Sequence, residues 1–338
     1  MENRIIDSIC IDSNVMRLSS INNYITSNNR KRNFLLTGFN EGYSNLDLYL
    51  GGFELGNNII IGARPSIGKT ALALELCKRF YKYNKDRNII ILFFNWEMGN
   101  EQVYFRLLCN YFQTDILTVK KNYYEYIKTS EYKKFEEYIN DLNIFFIESY
   151  NNIDHISNLV NSTKEKYEDF DIICIYDHSR LVVSYERNEE QRIFELLRTC
   201  NQFKKLGILN IVLSQLNREY EKNLDKRYSD PNNTYLFGAD AIQQFSDVTL
   251  LLHNPYQYKC MEWECLDSNG NSTMIETKDK LFINISKNRN GLSNFNLCLS
   301  YNKRNQTFKN IKDYTNQSNL FENNNINNIE VSEDDLPF

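Results

Sequence analysis

The sequence predicts an α/β fold in which a mostly parallel sheet carries helices on both faces. Three observations support this. Short runs that are apolar throughout, such as "NIIIGA" and "IICIY", recur along the chain, as expected for strands covered on both sides. Segments with apolar residues at helical spacing alternate with these runs. One apolar run enters a glycine-lysine-threonine turn that opens a helix, a junction typical of parallel α/β sheets. The 338 residues, 42% of them hydrophobic, suffice for one large domain or two modest ones.

The elements follow in order. "NNIIIGA" (57–63) reads as a buried strand and "TALALELCKRFYKY" (70–83) as a helix with an apolar face. "RNIIILFFN" (87–95) is a second buried strand, "EQVYFRLLCNYF" (101–112) a helix and "LNIFFIES" (142–149) a strand. "DIICIYD" (171–177) is a strand that ends in an acid, followed by a helix over 192–207 and a strand over 208–217. "SDVTLLLH" (246–253) and "KLFINISKNRNG" (280–291) are further strands.

Residues 1–36 read as a polar lead-in with one short helix, because Ile11, Val15, Leu18 and Ile25 form a single apolar stripe after Asp12 or Ser13 as N-cap. The stripe must pack on its own domain or on a neighbouring subunit. Residues 37–310 form the α/β domain. Residues 311–338 are asparagine-rich and then acidic; they bury too little apolar surface to fold alone and read as disordered.

No apolar run approaches the roughly 20 residues that a membrane helix needs, and "MENRIIDSIC" lacks the layout of a signal peptide. A cytoplasmic chain without a membrane partner is expected. The net charge of −5 weighs mildly against nucleic-acid binding, although a basic channel inside an acidic exterior would be averaged away. The eight cysteines form no C-x-x-C pair and there are only three histidines, so buried reduced thiols are expected rather than a zinc site. Abundant asparagine, lysine and isoleucine suggest an AT-rich coding sequence.

"GARPSIGKTA" (62–71) has the ingredients of a phosphate cradle. Backbone amides curl around the oxygens, a lysine reaches the outer phosphates, and a hydroxyl serves magnesium. The cradle spans Ala63, Arg64, Pro65, Ser66, Ile67, Gly68, Lys69, Thr70 and Ala71, with Ala63 in place of the usual first glycine. ATP and Mg²⁺ are the expected cofactors. Hydrolysis needs an acid that holds the metal, for which Asp177 at a strand end is suited. It also needs a base for the attacking water, for which Glu97 is the candidate. Both would lie at the C-terminal edge of the sheet, where ligands bind in such folds.

The motifs together resemble the RecA-like motor domain of DnaB-type replicative helicases. That family carries an A-R-P-S-x-G-K-T loop, so Ala63 is its usual residue. "NWEM" (95–98), "IYDHSRL" (175–181), "LSQLNRE" (213–219), "FGADAIQQFSD" (237–247) and "SKNRNG" (286–291) follow in the family's order. The resemblance implies an ATP-driven ring, expected to be a hexamer, that moves on single-stranded DNA and unwinds duplex during replication. It implies that Lys69 and Thr70 bind triphosphate and Mg²⁺, that Glu97 is the base, and that Asp177 is the metal-linked acid. Gln215 would sense the γ-phosphate, and Lys287 and Arg289 would reach a neighbouring subunit's nucleotide.

Three departures stand out. The family's large N-terminal helical domain is not in this sequence. Phe237 stands where the family's DNA-facing loop offers an arginine, leaving the backbone near Gly238 to track phosphates. His178, Ser179 and Arg180 differ from the residues that usually follow the acid. Arg187 and Arg192 are candidate compensating DNA contacts. The missing domain and the suggested AT-rich composition fit a phage or other mobile element.

The sequence closes on "EDDLPF". Asp334, Asp335, Leu336, Pro337 and Phe338 resemble the C-terminal tip of bacterial single-stranded-DNA-binding proteins, which implies docking onto replication proteins. Two other functions fit the residues: a RecA-like remodelling or recombination ATPase without processive unwinding, and a non-catalytic replication adaptor that tethers partners by this tip.

Overall fold

The computed structural model describes residues 33–149, 151–186, 188–217 and 230–312. The lead-in helix, Arg187 and the tip residues Asp334–Phe338 lie outside the described residues.

The centre of the fold is a nine-stranded sheet. Its strands are β3 (Asn58–Ala63), β4 (Ile89–Asn95), β5 (Ile144–Ile147), β6 (Asp171–Asp177), β7 (Leu209–Gln215), β8 (Val248–His253), β11 (Lys280–Asn288), β12 (Phe295–Asn302) and β13 (Thr307–Lys309). Their order across the sheet is β13-β12-β11-β8-β3-β7-β6-β4-β5. The six from β8 to β5 are mutually parallel. β11, β12 and β13 extend one edge in antiparallel fashion. Two small ribbons stand apart. One pairs β1 (Phe34–Leu35) with β2 (Phe53–Glu54), and the short helix α1 (Leu46–Leu50) lies between them in the chain. The other pairs β9 (Glu262–Leu266) with β10 (Ser272–Glu276).

β3 shows why the strands are apolar throughout. Ile59, Ile61 and Ala63 enter one core and Ile60 the other. The period of two therefore sends alternate residues to two buried faces. The first core lies under α2 (Lys69–Tyr83), through Leu72, Leu76 and Phe80. The second lies under α7 (Ile153–Lys166) and α8 (Glu189–Lys205), through Ile156, Val160, Ile193 and Leu197. No helix among the described residues is long and apolar enough to cross a membrane.

Within the described residues, the strands and helices expected from the sequence are all present, with ends shifted by at most three residues. Several elements go beyond that expectation. α3 (Asn100–Tyr111) packs with α4 (Ile116–Lys121), α5 (Tyr123–Tyr126) and α6 (Ser130–Asn140) around Leu108, Cys109, Val119, Tyr132 and Phe135. Asp115 and Thr129 supply the N-caps of α4 and α6. The motif at 237–247, where no helix was expected, contains the helix α9 (Ala239–Phe245). The expected strand at 280–291 ends at Asn288. Of the described cysteines, all but the half-buried Cys260 are buried free thiols.

Candidate nucleotide site

The cradle is built by the β3–α2 junction. Ala63 ends β3 with its methyl in the core, and Pro65 and Ser66 bulge outward. Ser66 (φ 62°) and Gly68 (φ 125°) turn the chain. At Gly68 the glycine is also demanded by space, because a Cβ would come within 3.2–3.3 Å of the Tyr301 ring and hydroxyl. No side chain caps α2, so its first amides face outward at the positive end of the helix dipole, suited to an anion. Arg64 ties the cradle to the neighbouring strand through a 2.7 Å bond from Nη1 to the Leu216 carbonyl.

The parallel register brings the candidate residues to one edge. Asn95 at the end of β4 lies beside Asp177 at the end of β6, and Ala63 beside Gln215. Thr70 Oγ1 donates to Asp177 Oδ2 at 2.7 Å. Asp177 is fully buried, and its Oδ1 accepts no hydrogen bond within the protein. Burial pushes its carboxyl up to about 6, with the Thr70 bond and Lys69 acting the other way and Glu97 adding to the rise. Lys69 is 6% exposed. Burial lowers its ammonium, opposed by the carboxylates of Asp177 and Glu97. Dehydrated positive charge next to uncapped amides is what a polyphosphate requires.

Among the described residues no group of three or more His, Cys, Asp or Glu could hold a metal ion. A hydroxyl and one carboxylate with an open, buried oxygen nevertheless fit Mg²⁺, which takes few protein ligands and completes its shell with phosphate and water.

Glu97 follows β4 and is exposed. Its Oε2 lies 3.8 Å from His178 Nε2. His178 is buried; desolvation lowers its affinity for a second proton, opposed by Glu97. His178 Nε2 also lies 3.1 Å from Gln215 Nε2. Gln215 Oε1 faces Arg180 Nη1 at 3.5 Å. The Arg180 guanidinium is paired with Glu189 at 2.5 Å and stacks 4.0 Å over the Phe237 ring. No sequence pattern pointed to His178 and Arg180 as participants; both were visible only as departures after the acid.

Gly238 is left-handed (φ 72°) and starts α9; a Cβ there would lie 2.7 Å from Ile193 Cγ2. Phe237 donates its amide to the Gln215 carbonyl at 3.2 Å. Arg192 is partly buried in the first turn of α8.

Lys287 and Arg289 are not at this edge. Lys287 pairs with Thr249 near the start of β8, so both residues sit at the opposite end of the parallel strands. β3 alone puts roughly 17 Å between the two edges, at about 3.3 Å per residue. Lys287 Nζ donates to the carbonyls of Gln243 (2.7 Å) and Ser246 (2.6 Å), at the C-terminal end of α9. Arg289 Nη1 lies 3.2 Å from Asp247, which also binds Lys204 at 2.6 Å.

A family model of the DnaB-like helicase C-terminal domain matches residues 38–310. The chain belongs to that family. Similar proteins include the replicative DNA helicase DnaB of Helicobacter pylori, 28% identical over 277 residues, which are 80% of this chain and 55% of that protein. DnaB of Buchnera aphidicola is 30% identical over 270 residues, 76% of this chain and 52% of the relative. A probable plasmid replicative DNA helicase of Chlamydia psittaci is 25% identical over 269 residues, 78% and 54% respectively. The chain thus spans about half the length of these DnaB relatives. Among solved structures, an isolated ATPase domain superposes with a TM-score of 0.69 at 21% identity, covering 89% of this chain and all of that one. A DnaB-like replicative helicase, solved to show its interactions with primase, gives 0.68 at 22%, covering 89% and 68%. The α/β fold is therefore that of DnaB-like helicase ATPase domains.

Proposed function

We propose that this DnaB-like chain is the ATP-hydrolysing motor of a DNA helicase that assembles into a ring, a hexamer, and moves along single-stranded DNA to unwind duplex. The observation that carries the reading is the Thr70–Asp177 pair beside Lys69. One buried carboxylate oxygen is left open there, next to an uncapped helix start.

In this reading the cradle from Ala63 to Ala71 wraps the phosphates, and Lys69 reaches the outermost ones. Thr70 and Asp177 hold Mg²⁺, which when bound neutralises charge on the phosphoryl oxygens. Glu97, exposed at the strand end, orients the attacking water and accepts its proton. Gln215 lies between this chemistry and the chain at Phe237 and Gly238, where DNA would run; Arg187 and Arg192 are proposed as further DNA contacts. Lys287 and Arg289, at the far edge from their own Lys69, would serve the nucleotide of a neighbouring copy, so hydrolysis would depend on assembly.

The domain plan is a linker over 1–36, the motor over 37–310 and a tail over 311–338. The tail's Asp334, Asp335, Leu336, Pro337 and Phe338 would recruit replication proteins in the bacterial cytoplasm, with the chain encoded by a phage or other mobile element.

The test is ATP hydrolysis with and without single-stranded DNA, followed by strand separation on a forked duplex, each beside Glu97→Gln. Stimulation and unwinding that vanish in the variant support the motor. Hydrolysis indifferent to DNA, with no strand separation, rejects it.

A further inference from the structure

Two exposed patches of opposite charge lie on opposite faces of the central sheet. The first is the outer side of the β9–β10 ribbon. Its inner side seats Trp263, Cys265 and Ile275 on Phe282 and Cys298 of β11 and β12. The residues flanking those two, Leu281, Ile283, Leu297 and Leu299, belong to the core under α2, so the ribbon covers the sheet face turned away from α2. The period of two sends Glu262, Glu264, Met274 and Glu276 outward, where all are exposed. Met274 is 49% exposed, and Met261, just before β9, 59%. The register sets Glu262 directly opposite Glu276, like charge against like, which is unfavourable between paired strands. Glu264 accepts from the Ser272 hydroxyl of its own ribbon. No ion pair relieves these glutamates among the described residues.

The second patch runs along α4 and α5. Leu117, Lys120, Lys121 and Tyr124 follow at helical spacing and are all exposed. Leu117 is 76% exposed and Tyr124 75%. The inner side of these helices packs on Leu108 and Phe135, and Leu107 of α3 joins that cluster to the core under α2. This stripe therefore belongs to the α2 side, and the sheet stands between it and the ribbon of its own chain.

We propose that the β9–β10 ribbon of one copy docks on the α4–α5 stripe of the next, its glutamates against Lys120 and Lys121 and its methionines over Leu117 and Tyr124. The inference rests on the ring assembly proposed above and names a contact within it. Charge selects the pairing. Ribbon against ribbon would set Glu against Glu, and stripe against stripe Lys against Lys, so a two-fold dimer through either patch is disfavoured. Placement selects the geometry. Because the patches lie on opposite faces, each copy offers one to each of two neighbours. That is a heterologous, head-to-tail contact, the kind that closes into rings. The pliable, polarisable methionine side chains suit the cover of an aromatic ring and a leucine.

The experiment follows the oligomer distribution of the full chain by sedimentation velocity over a dilution series, with Mg²⁺ and a slowly hydrolysed ATP analogue. The stripe variant carries Lys120→Glu with Lys121→Glu, and the ribbon variant Glu262→Lys with Glu264→Lys. Each alone should raise the concentration at half-assembly by about tenfold or more. Urea midpoints of the dilute variants, expected to stay near the wild-type value because the altered side chains are exposed, show that each chain folds. An equimolar mixture of the two variants should assemble as readily as the wild type, because in alternating order every ribbon meets a stripe of opposite charge. Variants that each assemble like the wild type overturn the contact. So does a folded pair whose mixture assembles no better than its parts, which would assign the ribbon to a different protein or to another face of the copy. A wild type that stays monomeric at every concentration rejects the proposed ring as well.

Discussion

Thr70 Oγ1 holds one oxygen of Asp177 at 2.7 Å and leaves the other buried without a hydrogen-bond partner. Without metal, this carboxyl binds a proton more tightly in the folded chain (about 6) than in the unfolded one (3.8). The sign follows. Its contribution favours folding most below the unfolded value and is lost as pH rises through about 6. Asp177→Asn should therefore stabilise the metal-free protein at pH 8 by about 1–3 kcal/mol, while abolishing Mg²⁺-dependent hydrolysis. Urea titrations with and without Mg²⁺ and nucleotide check both halves.

Glu97→Gln should lower hydrolysis by about 10²–10⁴-fold and leave nucleotide affinity nearly intact, because Glu97 is exposed and outside the cradle. Comparing steady-state rates with binding of a fluorescent nucleotide separates the two effects.

His253 is wholly buried between Trp263 and Phe282, with Asp230 3.9 Å and Asn296 3.3 Å away. Burial drops its value to about 4. The folded chain binds the proton less tightly than the unfolded one, so this stability is complete above about 6.5 and is lost as pH falls toward 4. The loss is on the order of 3 kcal/mol. His253→Asn should flatten the stability profile over that window, read by urea midpoints at several pH values.

Gly238→Ala should cost about 1–3 kcal/mol more than Gly51→Ala. Both glycines have positive φ, but only at Gly238 does an added Cβ meet a neighbour, Ile193 at 2.7 Å; at Gly51 it meets open space. Denaturant midpoints of the two variants test the difference.

Lys287→Met should destabilise even the dilute, unassembled chain by about 1–2 kcal/mol, because its ammonium bonds the Gln243 and Ser246 carbonyls at the end of α9. A lysine that acted only across an interface would leave dilute-protein melting unchanged.

The core strands and the cradle were legible because their signals are local. Continuous apolar runs at β3, β4 and β6 and a Gly-Lys-Thr turn need no tertiary context. The helices over 116–140 escaped because tyrosines carry much of their apolar face, although the caps Asp115 and Thr129 were readable. The antiparallel edge strands β12 and β13 escaped because they alternate around polar residues and follow no helix. At the site, the acids and the lysine could be chosen from strand ends. The His178–Gln215–Arg180–Phe237 contacts could not, since they join four side chains that share no spacing. Nor does sequence show that Lys287 and Arg289 are engaged by their own α9 and Asp247.

The place of β3 in the sheet also dictates when the molecule can first work. Its neighbours β7 and β8 end at residues 215 and 253, so the strand that launches the cradle stays without either neighbour long after it is made. At about 5–20 residues per second, roughly 10–40 s of synthesis separate Ala63 from His253. During that interval Ile59, Ile60 and Ile61 emerge from the ribosome uncovered, a target for chaperones. Nucleotide capture thus marks the end of the molecule's birth, and an early stop codon anywhere before β8 should yield a chain that cannot hold ATP.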